Sequence, residues 1–494
     1  MTTGTETYEN LDKPALISLL QDRDSELLKF QLAILNSNKR EFGTKSEKLT
    51  SDQIRLSFEV PTEPVQELLI SNEVVVERHT RTVRAKKPLP NDLPREERIY
   101  EPEATTCPCC NNELVKIGEE RSEELEKIPA QFKIIEHVRI KKACPNCKGA
   151  KVLTPPLPPT IFPLERVRVG PGFLSDMLVG KYVDHLPYHR QEQIYRRSGI
   201  EIARQRMCDW TAGIVELLMP LYSALTRSVL LSPYIHADET TLKVQDGEEK
   251  GKCHTGYLWG FHAPPGVFFH YADSRASEVP LLVLETFRGT LQTDLYAGYN
   301  KVLVPNKCER IACLAHVRRK FIEIEKTASK ECAQILRRIG DIYHKEKSAK
   351  TPAERFEIRE RCTKKLLQEL LDYVTALQSR TLPQAPLSKA INYMLSQRVE
   401  IERIMTSGEF DLDNNAIERQ MRPIALGRKN YLFAGSHDGA HRAAVLYSLF
   451  NTCKIHNVNP RLWLADVLRR IPSERGLDPN DLLPHCWVPA TSEA

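Results

Sequence analysis

Two acidic residues interrupt a segment whose composition is otherwise that of a buried β-strand. In the run IHADETTLKV, residues 235–244, Asp238 and Glu239 stand among apolar and β-branched residues. Burying a charged carboxylate is costly unless a partner compensates for the lost water, so this strand is a candidate for a functional site. Successive side chains of a strand point to opposite faces, and we expect Asp238 to be the one that faces the site.

The segments around this strand have the order of an RNase H-like α/β core. Four strands are predicted from apolar and β-branched runs at 233–244, 256–263, 267–274 and 290–299. Helical patterns follow, and Glu418 lies in a helix for which Asp413 to Asn415 offer N-caps. In such a core the acids lie on the first strand, near the end of the fourth, and on a later helix. Asp238, Asp294 and Glu418 occupy these positions.

Three converging carboxylates predict a magnesium site. Two carboxylates ~4 Å apart repel each other by about 4 kcal/mol at an effective dielectric constant near 20, so their convergence requires cations. Two Mg²⁺ ions held by Asp238, Asp294 and Glu418 would relieve the repulsion and catalyse in-line displacement at a phosphodiester. For any one of these acids alone, an exposed strand or helix residue is the alternative interpretation.

Five of the 13 cysteines lie in two short motifs. CPCC contains Cys107, Cys109 and Cys110, and CPNC contains Cys144 and Cys147. Four thiolates in two C-x-x-C pairs can close a tetrahedral zinc site, which leaves no position for a catalytic water. We expect one structural Zn²⁺ bound by Cys107, Cys110, Cys144 and Cys147, with Cys109 as the alternative to Cys110.

Basic residues in a helical region are candidates for DNA contacts. Residues 188–214 read as a helix, a turn at Ser198 and Gly199, and a second helix that begins near Glu201. This spacing is typical of a helix-turn-helix, although a glycine turn between two packed helices is the alternative. The arginines placed to reach phosphates or bases are Arg196, Arg197, Arg204 and Arg206.

Two further basic segments follow the predicted strands. Cys313 and His316 form a C-x-x-H pair, either half of a second metal site or a buried cysteine beside a histidine that contacts DNA. The segment GRKNYLF mixes cations with aromatic residues, as surfaces that handle single strands do, or is an ordinary helix end. The candidate DNA contacts in these segments are His316, Arg318, Arg319, Lys320, Arg428 and Lys429.

Length and charge limit the remaining alternatives. A chain of 494 residues exceeds one hydrophobic core and predicts several domains, and its net charge of +5 permits nucleic acid as a partner. The N-terminus lacks the pattern of a signal peptide, and we expect a cytoplasmic protein without a membrane span. Residues 14–35 carry leucines and isoleucine at heptad spacing, which predicts a helix that pairs with a second copy or packs on its own chain.

Several long motifs resemble one family, the transposases of insertion sequences of the sixty-six type. They are HADET, LQTDLYAGYN, CLAHVRRKF, DNNAIERQMRPIALGRKNYLFAGS and LLPHCWVP, and the resemblance extends from FGTKSEKL to the end of the chain. It implies a DDE transposase whose catalytic triad falls on Asp238, Asp294 and Glu418.

With the resemblance, we expect six segments in the chain. They are a leucine-zipper-like helix at 1–50, a basic and proline-rich linker at 51–100, a zinc-binding domain at 101–152, a helical helix-turn-helix-like region at 153–230, an RNase H-like catalytic domain at 231–430 with a helical insertion at about 322–408, and a small C-terminal domain at 431–494.

The resulting functional expectation is a DNA transposase of the bacterial cytoplasm, associated with the nucleoid when bound. It would bind the ends of its insertion sequence, expose 3′-hydroxyls by Mg²⁺-dependent cleavage, and join them to target DNA. Synapsis of two ends requires at least two protomers, and the resemblance also implies small accessory proteins. Two alternatives are an RNase H-like nuclease without strand transfer and a zinc and helix-turn-helix regulator derived from a transposase.

Overall fold

The computed structural model describes most of the chain after residue 130. The described residues are 131–142, 153–156, 163–164, 167–245, 252–294, 296–306, 308–472 and 476–489. All of them belong to the second of two compact units, Pro129–Ala494. The predicted zipper-like helix, the basic linker and the cysteines Cys107, Cys109, Cys110, Cys144 and Cys147 lie outside the described residues.

A five-stranded mixed sheet forms the centre of the described structure. Its strands are β1 (Tyr234–Val244), β2 (His254–Ala263), β3 (Gly266–Ala272), β4 (Thr290–Gln292) and β5 (Glu309–Ile311). Their order across the sheet is β3-β2-β1-β4-β5. The first three strands pair antiparallel, whereas β1 pairs parallel with β4, and β4 pairs parallel with β5.

The prediction was wrong about the length of the fourth strand and omitted the fifth. The run 290–299 does not continue as a strand, because it ends at Gln292 and a short 3₁₀ helix forms at Ala297–Tyr299. Tyr299 is buried there against Trp259, with ring centroids 5.7 Å apart. Strand β5 has three residues, which is too short for a periodic pattern to reveal.

Fourteen α-helices accompany the sheet in the described part of the chain. They are α1 (Pro171–Tyr182), α2 (Tyr188–Arg197), α3 (Arg204–Leu230), α4 (Glu278–Val283), α5 (Asn300–Asn306), α6 (Leu314–Glu323), α7 (Ser329–Glu346), α8 (Pro352–Ile358), α9 (Lys364–Gln378), α10 (Pro386–Leu395), α11 (Arg398–Ile404), α12 (Asn415–Tyr431), α13 (His437–Ile455) and α14 (Pro460–Arg470). A π-helical turn at Arg359–Thr363 joins α8 to α9, and a 3₁₀ helix spans Pro479–Leu482.

The turn between α2 and α3 differs from its prediction by a few residues. Gly199 has a φ of +79°, a conformation that glycine adopts without steric cost, and it ends the first helix as expected. The second helix begins at Arg204 and not near Glu201, since Ala203 is still extended with a ψ of 140°. Arg204 and Arg206 therefore lie in the first turn of α3.

The main hydrophobic core contains the sheet together with α1, α3, α13 and α14. Helix α3 has the length and hydropathy of a membrane span, but its residues Ile214, Leu218 and Leu225 are fully buried in this core. Strand β3 lies at the edge of the sheet, where unpaired backbone groups need partners. Ser448 and Thr452 of α13 provide them, since their hydroxyls accept hydrogen bonds from the N–H groups of Phe269 and Val267.

A second hydrophobic core joins the end of β5 to α6, α7, α9, α10 and α11. These helices lie between Asp294 and Glu418 in the sequence, where the helical insertion was expected. A buried ion pair stabilises them, because Arg359 contacts both carboxylate oxygens of Glu346 at 2.8 Å. The Arg359 guanidinium also donates to the backbone oxygen of Ile404, so its positive charge has hydrogen-bond acceptors besides Glu346.

Candidate functional site

An acidic cleft lies where helix α12 crosses β1. Asp238 lies in the middle of β1, and Glu418 lies in the first turn of α12, which packs across β1 and β2. The cleft between them has a volume of about 280 Å³. Its lining residues are Asp238, His316, Arg319, Glu418, Met421, Arg422 and Ala425.

Burial makes Asp238 an unusually weak acid. Loss of solvent, followed by the negative charge of Glu239, raises the pKa of Asp238 from 3.8 to about 7. The charges of Asp294 and Glu418 raise this pKa further, which indicates that all three predicted acids act on one region. The backbone N–H of Glu239 donates to Asp238 Oδ1 at 2.9 Å and opposes the shift. A cation bound beside this carboxylate would favour its charged form and lower its pKa.

Glu239 has protein partners of its own. Its side chain is 4% exposed and accepts hydrogen bonds from Arg275 Nε at 2.8 Å and from the Tyr299 hydroxyl at 3.0 Å. Burial raises the pKa of Glu239, while Arg275 lowers it. The Arg275 guanidinium in turn lies 3.9 Å from the centroid of the Tyr296 ring. Glu239 is thereby compensated within the protein, whereas no comparable cation contacts Asp238 among the described residues.

Asp294 follows β4 by two residues and lies beside this cluster. Its Oδ1 accepts a hydrogen bond from the backbone N–H of Tyr296 at 2.9 Å, which holds the carboxyl in a turn. It does not line the cleft, but its charge raises the pKa of both Asp238 and Glu239. The structure therefore brings Asp238 and Glu418 to one cleft and Asp294 to its electrostatic neighbourhood.

A glycine opposite Asp238 allows helix α12 to approach the sheet. Gly260 of β2 is the register partner of Asp238 in the antiparallel pair. A Cβ atom at Gly260 would lie 2.6 Å from Met421 Cε and 2.8 Å from Phe269 Cε1, both too close for real contacts. The absence of a side chain at Gly260 thus leaves the space that Met421 fills beside the cleft.

Asn414 connects the elements that carry the site. Its side-chain amide donates to the backbone oxygen of Ala237, next to Asp238, at 2.8 Å, and its Oδ1 lies 3.0 Å from His236 Nδ1. Its backbone N–H donates to Cys313 Sγ at 3.1 Å. The expected N-cap residue therefore joins β1 to α12 and to the start of α6, while Asp413 accepts from the N–H of Asn415.

One member of the C-x-x-H pair, His316, lines the cleft, and Cys313 is buried close to it. The potential ligand atoms of Cys313, His316 and Glu418 all lie within 4.8 Å of one another. His316 Nδ1 is 3.9 Å from Glu418 Oε1. Glu418 comes from a segment about 100 residues further along the chain, so the sequence did not reveal that its carboxylate lies beside this pair.

Two arginines line the walls of the acidic cleft. Arg319 lies one turn after His316 on α6, and Arg422 lies one turn after Glu418 on α12. Both side chains are exposed, and neither forms an ion pair with a carboxylate that the structure describes. Sequence reasoning included Arg319 but missed Arg422, although the i, i+4 spacing from Glu418 places it on the same helix face.

The other predicted DNA contacts lie outside the cleft. Arg428 donates to the hydroxyls of Thr240 and Thr241 at 3.1 and 2.9 Å, so it also ties α12 to β1. Lys320 pairs with Glu323 at 3.5 Å, and Arg196 pairs with Glu192 at 3.6 Å. The exposed candidates without a described ion pair are Arg197, Arg204, Arg206, Arg318 and Lys429.

Fold and cleft together define a multidomain α/β protein whose acidic centre is flanked by cations. A model of the Transposase IS66 family matches residues 166–442, which contain the whole sheet and the cleft. Three related models match other parts of the chain: the zinc-finger binding domain of transposase IS66 at 104–148, the IS66 C-terminal element at 448–485, and the model described as Transposase C of IS166 homeodomain at 27–98.

Proteins of Sinorhizobium fredii (strain NBRC 101917 / NGR234) are similar over most of their length. The uncharacterized protein y4hP is 32% identical over 446 residues, which cover 84% of this chain and 79% of that protein. The uncharacterized protein y4qI is 30% identical over 455 residues, covering 87% and 83% respectively. The chain belongs to the IS66 family of transposases, as the motifs predicted, and has the multidomain architecture of that family.

Replacement of Gly260 by alanine tests whether the approach of α12 depends on this glycine. We expect Gly260→Ala to lower the free energy of unfolding by about 1–3 kcal/mol, because the new methyl group overpacks against Met421 and Phe269. Adding Met421→Ala should recover part of this lost stability, because it removes the Met421 side chain that the new methyl group would contact. Urea unfolding of the single and double variants measures both effects.

Gly340→Ala is the matched control, because nothing lies within 4 Å of a Cβ atom at that helical position. It should leave the protein as stable or slightly more stable. Equal effects of Gly260→Ala with and without Met421→Ala would contradict the proposed packing.

Proposed function

We propose that the chain is a DNA transposase that cleaves the ends of its insertion sequence and transfers them to target DNA in the bacterial cytoplasm. Its triad is Asp238, Asp294 and Glu418, as expected from the sequence. The observation that carries the proposal is that Asp238 and Glu418 line one cleft together with Arg319 and Arg422, and that the charge of Asp294 acts on Asp238 from beside it. Family membership supports the same activity.

The strand order supports an RNase H-like catalytic core. Three antiparallel strands continue into two parallel ones, in the order 3-2-1-4-5, and acids lie mid-strand on β1, after β4 and on the later helix α12. Helices α7, α9, α10 and α11 share a second hydrophobic core with α6 and the end of β5, and they lie between the second and third acids in the sequence. A helical insertion there lengthens the chain without disturbing the sheet.

The donor set of the cleft fits divalent cations with a preference for oxygen ligands. Burial and the neighbouring carboxylates raise the pKa of Asp238, and a bound cation removes this penalty. Bound at Asp238, Asp294 and Glu418, a pair of Mg²⁺ ions would supply Lewis acidity at both the attacking and the leaving oxygen of the phosphodiester. Arg275 keeps Glu239 compensated, so that Asp238 is the acid of the strand left for this role.

Cations on the cleft walls offset the charge of the substrate. A DNA strand brings one negative charge per phosphate to a site that already holds several carboxylates. Arg319 and Arg422 approach the cleft from α6 and α12, on which they follow His316 and Glu418 by one helical turn. We assign to them the phosphates next to the scissile bond, and to Arg318, Lys320 and Lys429 more distant backbone contacts.

The remaining modules position the DNA. We assign a structural Zn²⁺ to Cys107, Cys110, Cys144 and Cys147, and the match of residues 104–148 to the zinc-finger model supports this assignment. Arg196, Arg197, Arg204 and Arg206 flank the turn between α2 and α3, where they are exposed. Two protomers at least hold the two ends, assembled through the N-terminal segment, and small accessory proteins of the same element take part.

Replacement of Asp238 by asparagine separates catalysis from binding. The flanking DNA of the gene, carried on a plasmid, is incubated with purified protein and Mg²⁺, and nicks are mapped to the nucleotide. We expect paired nicks at inverted repeats for the wild type. Loss of a residue that hydrogen-bonds a metal ligand typically costs roughly 10- to 100-fold in activity. Asp238→Asn removes a ligand itself, so it should lower nicking by more than this factor while end binding stays nearly unchanged.

Asp341→Asn is the control, since Asp341 is an exposed carboxylate of α7. Equal nicking by the wild type and Asp238→Asn would contradict the assignment, and loss of binding would make Asp238 structural. Nicks without joined products would indicate a nuclease. Protection of the repeats without nicks would indicate either a DNA-binding regulator or a transposase that requires its accessory proteins.

Replacement of Arg422 by alanine tests the assignment of the cleft wall. We expect Arg422→Ala to lower kcat/KM for nicking about tenfold, equivalent to about 1.4 kcal/mol, because the charge acts next to the scissile phosphate. The slope of log binding against log salt should fall by about 1. Arg337→Ala removes the same charge from an exposed position of α7, outside the cleft and outside the assigned DNA contacts, and should change kcat/KM less than twofold. Equal losses in both variants would refute a local role for Arg422.

A further inference from the structure

Two residues that line the cleft, His316 and Glu418, form with the neighbouring Cys313 a donor set unlike the carboxylate triad. Cys313 is the N-cap residue of α6, and His316 lies in the first turn of that helix. Glu418 lies in the first turn of α12. One sulfur, one ring nitrogen and one carboxylate oxygen from these residues all lie within 4.8 Å of one another. Two helix starts therefore point three chemically different ligands at a common centre.

Two of these atoms lack the hydrogen-bond partners that buried polar atoms normally have. His316 Nδ1 and Glu418 Oε1 are both inaccessible to solvent and unpartnered within the described structure. They are 3.9 Å apart, which is too long for a hydrogen bond between them. Bonds of about 2.0–2.2 Å from nitrogen and oxygen to one ion would span this gap.

The third donor is a buried thiol in a setting that can stabilise a thiolate. Cys313 is 1% exposed, and the backbone N–H of Asn414 donates to its sulfur at 3.1 Å. Without a metal, burial raises the pKa of this thiol to about 12. A coordinating metal ion deprotonates such a thiol, and backbone N–H groups at a helix N-terminus favour the resulting charge.

We propose that Cys313, His316 and Glu418 bind a transition-metal ion of the zinc class, in a site separate from the cysteine pairs that shares one residue, Glu418, with the magnesium triad. Thiolate and imidazole ligands select zinc over magnesium, which prefers oxygen. Three protein ligands leave a fourth position for water or a phosphate oxygen. Glu418 is common to both sites, so an ion bound here withdraws this carboxylate from Asp238 and Asp294.

The consequence for catalysis rests on the proposed function. If the triad requires Glu418 for Mg²⁺, a zinc-class ion in the new site inhibits nicking, and removal of Cys313 relieves the inhibition. Binding itself does not depend on any activity, so it is measured on the full chain without DNA.

The test counts zinc ions per chain. Wild type, Cys313→Ser and the control Cys208→Ser are equilibrated with excess Zn²⁺, freed of unbound metal by gel filtration, and analysed by mass spectrometry of the metal. Cys208 is an exposed free cysteine of α3 and lies outside the cleft. We expect Cys313→Ser to hold one ion fewer than the wild type and Cys208→Ser to hold the same number.

Cobalt provides a second measurement on the same proteins. Loading with Co²⁺ in place of Zn²⁺ should give a thiolate-to-cobalt absorption band that is weaker in Cys313→Ser than in the wild type. His316→Ala, in which the thiol remains, should lower the metal count as well and replaces Cys313→Ser if that variant does not fold. Identical metal counts in the wild type and in the folded Cys313 or His316 variant would overturn the proposal.

Nicking assays separate the two claims. With Mg²⁺ present, added Zn²⁺ should lower nicking by the wild type at least tenfold more than nicking by Cys313→Ser. Absence of any Mg²⁺-dependent nicking would refute the proposed function but leave the metal count as the test of the site. Equal inhibition of both proteins, with a count that differs by one, would restrict the inference to binding alone.

Discussion

Electrostatic repulsion among buried carboxylates is the constraint around which this core is organised. Burial, followed by the charges of Glu239, Asp294 and Glu418, raises the pKa of Asp238 to about 7, and burial together with the charge of Asp294 raises the pKa of Glu239. Of these acids on β1, Glu239 has a positively charged partner within the protein, Arg275, and also accepts a hydrogen bond from Tyr299. Asp238 has no such cationic partner among the described residues. An uncompensated acid in the middle of a strand is destabilising, so its retention calls for a ligand that the folded chain alone does not supply.

The positions of these carboxylates depend on a few contacts between segments that are distant in the sequence. Asn414 joins the backbone of β1 to the first turn of α12 and to the sulfur of Cys313. Gly260 leaves room for Met421, and Arg428 holds the last turn of α12 against the threonines of β1. Helix α12 is therefore fixed on the sheet at its start, its middle and its end, which orients Glu418 and Arg422 together.

Local patterns predicted the parts of the site that depend on neighbouring residues in sequence. Strand β1 and the helix of Glu418 follow from composition and capping, whereas the choice of Asp238, Asp294 and Glu418 came from the order of the strands and from the family resemblance. The prediction extended β4 too far, because the aromatic residues of LYAGY resemble a strand but pack as a 3₁₀ turn on Trp259. The roles of Arg275 and the Asn414 side chain were not predictable, since they depend on contacts with residues far away in the chain.

The most direct test of the cation requirement is the stability of the wild type and of Asp238→Asn in magnesium-free buffer and with added Mg²⁺. The folded-state pKa of Asp238, about 7, lies above its ordinary value of 3.8, so the contribution of this carboxyl to stability falls as the pH rises from about 4 to 7. At pH 8 without Mg²⁺, urea unfolding should find Asp238→Asn more stable, on the order of 2–4 kcal/mol, with little difference near pH 4. Mg²⁺ should stabilise only the wild type. Equal responses to Mg²⁺, or a less stable variant at pH 8, would contradict the account.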